Sequence, residues 1–408
     1  MTRHAHPGGW EPTYAARAQR MRASEIRELL KLLEQPGIVS FAGGIPDPTL
    51  FPVAEARAAY AAVLADPASA GSGLQYSVSE GYLPLRQWIV RHMGTLGVAC
   101  EAENVLITSG SQQALDFLGR MLLSPGDTAL VTAPTYLGAL QAFSAYEPRY
   151  DELRPEDGNR TPLSYAQAAA TAGGRVKLAY VVPDFANPTG ETLSLAARNR
   201  LLDLAAALDA PVIEDAAYAA LRFEGEALPP LMGLEIARRG SIEAARSIYC
   251  GTFSKVLSPG LRVGWIVAPK AMIRRLVLVK QASDLNNATI NQMVMHRLAE
   301  ATYEAQVGRA RVHYRRRRDA MLAALERHPR QGVGWTKPKG GLFAWVRLPN
   351  GIDAAALLDR AVQEAHVAFV PGAAFFHDGR GRNALRLSYS LADEAEIEAG
   401  IARLARLI

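Results

Sequence analysis

Cysteine is scarce: Cys100 and Cys250 are the only two in 408 residues. They cannot build a disulfide framework and stand in no metal-ligand spacing, so a reducing cytoplasm is the expected location. The eight histidines are scattered, and no metal is expected. Long apolar runs are missing too; no window approaches the length of a membrane span. Residues 1–12 are polar and hold Pro7, Gly8 and Gly9, without the apolar core of a signal peptide, so neither secretion nor insertion is expected. An excess of one charge is also lacking, with 45 Lys and Arg against 40 Asp and Glu. The densest basic cluster, residues 315–318, falls in a helical pattern over 301–327 and reads as a solvated helix face, not a nucleic-acid surface. Repeats and low-complexity segments are absent.

What is present is an alternation. Short runs at 104–108, 128–132, 176–182, 211–214, 247–251 and 264–267 read as strands, with helices such as 112–123 and 195–208 between them. Runs apolar throughout predict a largely parallel sheet covered by helices on both faces. Upstream, helical patterns cover 14–33, 53–64 and 84–93, an extended run covers 38–41, and 71–73 reads as a flexible break. Downstream, helical stretches run to about 281, over 291–299 and over 301–327. A smaller α+β unit follows, with runs at 334–336, 342–348, 368–371 and 384–388 and helices at 354–364 and 394–406. The expected division is a large domain over 52–300 and a small one made of 11–51 with 301–408.

In an open α/β sheet, ligands gather beyond the carboxyl ends of the strands. After the first run comes Ser109-Gly110-Ser111-Gln112, a small-residue turn opening a helix, whose free amides suit a phosphate. Tyr136 follows the second run, and Asn187-Pro188-Thr189-Gly190 the third. The fourth ends in Glu214-Asp215, with Tyr218 three residues later. Taken singly, each is an ordinary cap or turn. Taken together, they offer a phosphate cradle, a flat ring, an amide and a buried-looking acid.

The fifth run leads into Gly251-Thr-Phe-Ser-Lys-Val-Leu-Ser-Pro-Gly-Leu-Arg-Val-Gly264. Lys255 has hydroxyls one and three residues before it, Ser254 and Thr252, and Arg262 seven after it. An amine among hydroxyls with a guanidinium nearby suits a phosphorylated aldehyde: the amine can form a Schiff base and the rest can hold the phosphate. Further on, Arg386 lies inside the apolar alternation Leu385-Arg386-Leu387-Ser388-Tyr389, where an arginine needs a partner.

With Ala23 to Leu30, Phe41-Ala42-Gly43-Gly44, Gln75-Tyr76, Ser109 to Ala114, Asn187 to Gly190, the lysine loop and Leu385 to Tyr389 in this order, the chain resembles the fold-type I pyridoxal phosphate enzymes of the class I and II aminotransferase family. The similarity is to its 2-aminoadipate, kynurenine and multisubstrate branch. The resemblance implies pyridoxal 5'-phosphate as cofactor and Lys255 as the Schiff-base lysine and proton carrier. It implies Asp215 facing the pyridine nitrogen, Asn187 and Tyr218 at the phenolic oxygen, and Tyr136 stacked on the ring. Ser111, Gln112, Thr252, Ser254 and Arg262 match the phosphate cup, with Tyr76 reaching in from a second subunit of a homodimer. Arg386 resembles the clasp for the substrate α-carboxylate, with Gly44 closing over it. Arg27 matches a position that binds the distal carboxylate of acidic substrates, whereas Asp184, if it faced the pocket, would repel one.

The expected reaction is amino transfer between an L-2-amino acid and a 2-oxo acid, with 2-oxoglutarate the expected acceptor, by a ping-pong mechanism. A decarboxylase, lyase or oxidase on the same site is the alternative. A transcription regulator of the same fold is a more distant one, disfavoured because the matching region begins close to Met1.

Overall fold

The computed structural model describes residues 9–10, 13–20 and 37–408. Of the helix expected over 14–33, the described part is Ala16–Arg20; Arg27 lies outside the described residues.

The large sheet has seven strands: β1 (Val105–Thr108), β2 (Thr128–Thr132), β3 (Arg149–Leu153), β4 (Val176–Val181), β5 (Val212–Asp215), β6 (Ser247–Thr252) and β7 (Gly264–Val267). Their spatial order is β1-β7-β6-β5-β4-β2-β3. Parallel pairing joins β6, β5, β4, β2 and β3, while β7 runs antiparallel to both β6 and β1. Successive residues feed different cores: Leu130, Ala179, Val181 and Val212 pack into one, and Ala129, Val131, Leu178, Tyr180 and Ile213 into the other. That is the period-2 geometry of a strand buried on both faces, and it explains why these runs are apolar throughout. The strand β3 escaped the sequence reading because Arg-Tyr-Asp-Glu-Leu is polar, as an edge strand with one neighbour can be.

A second sheet, antiparallel and four-stranded, runs in the order Val370–Pro371, Ala384–Ser388, Phe343–Arg347, Gly334–Trp335. The N-terminal segment joins this end of the chain. Val39–Ser40 pairs in parallel with Val367–Ala368, and buried Phe41 gives its carbonyl to Ser388 N at 2.8 Å. This pairing carries Ala42, Gly43 and Gly44 to the mouth of the large sheet.

Three expectations need correction. Residues 71–73 are no flexible break, for they lie in the helix Pro67–Leu74. Asp66 caps it by accepting from Ser69 N at 3.0 Å, and buried Gly73 lets it approach Ile290 and Met293 closely. Packing overrides the low helix propensity of glycine here. The two helices expected over 291–299 and 301–327 are one 39-residue helix, Thr289–Arg327. The change from apolar to charged composition near residue 300 is a change of surroundings, not a break. Residues 315–318 are not all solvated either. Arg317 pairs with Asp47 at 2.7 Å and donates to Ser390 O, and Arg318 pairs with Glu224 and donates to Pro338 O. Among the described residues no helix is long and apolar enough to cross a membrane.

Candidate active site

The carboxyl ends of β1, β2, β5 and β6 surround a cavity of about 140 Å³. Ser111, Gln112, Tyr136, Asp215 and Tyr218 line it, together with Thr252 at the end of β6 and Ser254, Lys255 and Arg262 from the loop joining β6 to β7. Nine residues singled out from separate stretches of sequence thus line one cavity. Asn187 and Arg386 adjoin it, linked to each other at 2.8 Å.

The turn before helix α1 (Ser111–Leu122) makes one side of the cavity. Gly110 caps this helix with φ +77°, and a Cβ there would strike the Arg262 guanidinium. The tight turn therefore aims the free amides at the start of α1 toward the arginine and the loop hydroxyls. Opposite, Thr252 Oγ1 meets Ser254 Oγ at 2.9 Å and accepts from Ser254 N at 3.1 Å. Arg262 is exposed and fixed by donating to Ser109 O at 2.9 Å. Helix-end amides, two hydroxyls and a guanidinium form a cup for a phosphate.

The floor is Asp215, almost wholly buried. Its Oδ2 accepts from Tyr180 OH at 2.9 Å, but its Oδ1 is buried and, among the described residues, has no partner within hydrogen-bond geometry. Burial pushes its pKa up to about 6, opposed by the phenol, by the Ala217 backbone N–H nearby and by the charge of Lys255. An orphaned buried acceptor costs on the order of 1–3 kcal/mol, so this oxygen is poised for a cationic N–H. Tyr180 was not picked out from the sequence. The signal was there: a phenol inside an apolar strand needs a buried partner. Tyr136 sits over Gly138, where any Cβ would collide with its ring, so the ring is held flat against backbone at the mouth of β2.

Lys255 Nζ donates to Gly44 O at 3.2 Å and lies 5.6 Å from the centre of the Tyr218 ring. Enclosure in the cavity, then repulsion from Arg386, lowers its pKa to about 8, with Asp215 opposing the shift. The amine is therefore half neutral near pH 8, where an ordinary lysine is almost wholly protonated. Tyr218 is pushed well above the usual phenol range by burial, and Asn187 hydrogen-bonds to it.

Arg386 is 1% exposed. Its guanidinium donates to Asn187 Oδ1 at 2.8 Å, to Ala42 O at 2.7 Å and to Gly43 O at 2.6 Å. Phe343 and Phe375 lie against it, with ring centres 4.3 and 5.1 Å away. Among the described residues it has no carboxylate partner, and its Nε donates to nothing. Burial lowers its pKa to about 10, which still leaves it charged at neutral pH. Gly44 is required beside it, because at φ +130° a Cβ would sit 2.8 Å from the Phe343 ring.

Two sequence-marked residues lie elsewhere. Tyr76 is 79% exposed on a surface run with Leu74 and Val78, away from its own chain's cavity. Asp184 does not present its charge to the substrate space, since Arg222 pairs with it at 2.6 Å and Arg198 at 2.9 Å. The repulsion it would exert on a distal carboxylate is neutralised.

Residues 42–404 match the family described as aminotransferase class I and II. A 2-aminoadipate transaminase from Thermus thermophilus is 43% identical over 402 residues, covering 98% of both chains. A kynurenine aminotransferase of Pyrococcus horikoshii, solved with pyridoxamine phosphate, kynurenine and kynurenic acid, superposes with a TM-score of 0.89 at 41% identity, covering 98% of each chain. An α-aminoadipate aminotransferase from Thermus thermophilus, solved with a phosphopyridoxyl-leucine adduct, gives 0.86 at 42% identity over 98% of each chain. With its amine, buried acid and unpaired guanidinium gathered at the strand ends, this chain belongs to the class I and II aminotransferases.

Proposed function

We propose that the protein is a pyridoxal phosphate-dependent aminotransferase for L-2-amino acids, with a broad or 2-aminoadipate-like substrate range and 2-oxoglutarate as acceptor. The observation that carries this reading is the buried, unpartnered Oδ1 of Asp215, a residue that lines the same cavity as an amine of lowered pKa and the phosphate cup. A protonated pyridine, an aldehyde and a phosphate match those three features, so the residues present fit the cofactor.

When bound, pyridoxal phosphate supplies an aldehyde that accepts amines and a cationic ring that withdraws electrons from the substrate α-carbon. Asp215 keeps a proton on the ring nitrogen by ion pairing. Asn187 and Tyr218 donate toward the ring's phenolic oxygen, and Tyr136 packs on its face. Ser111, Gln112, Thr252, Ser254 and Arg262 hold the phosphate. Lys255 anchors the cofactor and then, as a free neutral amine, takes the proton from the substrate α-carbon; in the reverse half-reaction it returns one there. Arg386 binds the α-carboxylate of amino acid and oxo acid alike, which lets one site serve both halves of a ping-pong cycle.

Arg27 is proposed to bind a distal carboxylate, and the neutralised Asp184 leaves that charge uncontested. The exposed run Leu74, Tyr76, Val78 supports a homodimer in which Tyr76 completes the partner's cup. In the proposed division into 52–300 and 11–51 with 301–408, the first unit holds the whole cavity lining and the second supplies Gly44 and Arg386. Cytoplasmic residence accords with the two free thiols.

Mixing the enzyme with single amino acids and following cofactor absorbance tests the reaction. Aminoadipate, glutamate, leucine and aromatic amino acids are expected to convert the bound cofactor to its pyridoxamine form, with recovery on adding 2-oxoglutarate. A protein that keeps its cofactor but is converted by none of them is not an aminotransferase of this range.

A further inference from the structure

Behind the cup lies a second buried amine that none of the roles above uses. Lys280, near the end of helix α2 (Lys270–Gln281), has a side chain with 0% exposure. Its Nζ donates to both oxygens of Asp284, at 2.9 and 3.1 Å, and to Asn287 Oδ1 at 2.7 Å. Both partners lead to the turn that opens α1. Asp284 Oδ2 accepts from Gln113 Nε2 at 2.8 Å, and Gln113 Oε1 in turn accepts from Ser109 N at 2.8 Å. Asn287 Nδ2 donates to Ser109 Oγ. The third polar group of Ser109, its carbonyl, is the one held by Arg262.

Every hydrogen-bonding group of Ser109 is thus tied, and two of the three ties trace back to one ammonium. A buried ammonium is costly, and apolar residues in place of the whole Lys280–Asp284 pair would fill such a site with little loss of stability. What apolar residues cannot do is occupy the far ends of the Asn287 and Gln113 amides, Oδ1 through Lys280 and Nε2 through Asp284, and so hold their near ends on Ser109.

We propose that Lys280 is a positioning residue for the phosphate-binding turn. Through Asp284, Asn287 and Gln113 it fixes Ser109, so the amides after Gly110 meet the phosphate without reorganising. This rests on the proposed role of that turn in holding pyridoxal phosphate.

The test is cofactor capture by cofactor-free protein, comparing wild type with Lys280→Met and, should that variant not fold, Gln113→Ala. Three probes are used: pyridoxal phosphate, pyridoxal without its phosphate, and inorganic phosphate as competitor. Either variant is expected to bind pyridoxal phosphate about tenfold more weakly, the size of one lost hydrogen bond to a charged group. Inorganic phosphate should lose its power to compete by a similar factor, while pyridoxal binding changes less than about twofold on the same grounds. Equal weakening of pyridoxal and pyridoxal phosphate would mean a general structural role and would overturn the proposal. So would unchanged phosphate competition. Wild type that captures no cofactor would instead fail the functional reading itself, which the same titration shows separately.

Discussion

Arg198 and Arg386 are both fully buried, and both touch the strap 183–187, yet they are held in opposite ways. Arg198 meets the carboxylate of Asp184 and donates to the carbonyls of Pro183, Leu193 and Pro229. Arg386 meets one amide oxygen and two carbonyls, with its Nε idle. The buried lysines divide the same way. Lys280 has Asp284, whereas Lys255, among the described residues, has only the Gly44 carbonyl within hydrogen-bond reach. A buried cation with its own acid is part of the framework, and one without is kept for an anion or a covalent partner from outside.

Substitutions break that contrast in order of size. Lys255→Ala should lower turnover at least about 10³-fold, since anchoring and proton transfer both go; steady-state assay with saturating cofactor measures it. Arg386→Leu should cut kcat/KM about 100-fold for every amino and oxo acid, as the loss of a bidentate charged contact implies. Its thermal midpoint should hold or rise, because an unpaired buried charge is removed. Asp184→Asn should do the reverse. It strands the charges of Arg198 and Arg222, and urea titration should show a loss of about 3 kcal/mol in stability. Its preference between acidic and neutral amino acids should stay as in wild type.

Acidity marks Lys255 off from an ordinary surface lysine. With the Lys255 pKa at about 8, the rate of cofactor capture should climb with pH, pass half its plateau near pH 8 and level off above it. An ordinary lysine would still be gaining neutral amine up to about pH 10.4. The smallest effect expected is on selectivity: Arg27→Ala should raise KM a few-fold for aminoadipate and glutamate, the scale of an exposed ion pair, and leave leucine unchanged. Equal changes for both would remove Arg27 from the side-chain pocket.

Much of the cavity was legible from sequence because α/β folding brings strand ends together whatever lies between them. Ser111, Tyr136, Asp215 and Lys255 each stand just beyond an apolar run, and that position alone predicts their meeting. Partnerships made across the fold were not legible. Asp184 carries the same letter whether it faces substrate or two arginines, and its pairing with Arg222 depends on a strap and a loop closing on each other. Arg317 and Arg318 looked like a solvated face because helical period says which residues share a side, not what covers it. Lys280 likewise reads as a basic residue in the last turn of a helix; only its acid and amide partners mark it as interior.

The most direct measurement is borohydride reduction of the enzyme with pyridoxal phosphate bound, followed by peptide mapping. The phosphopyridoxyl group should be found on Lys255, with Lys280 unlabelled. Protein that retains the cofactor yet leaves residue 255 unmodified would contradict the assignment of the site.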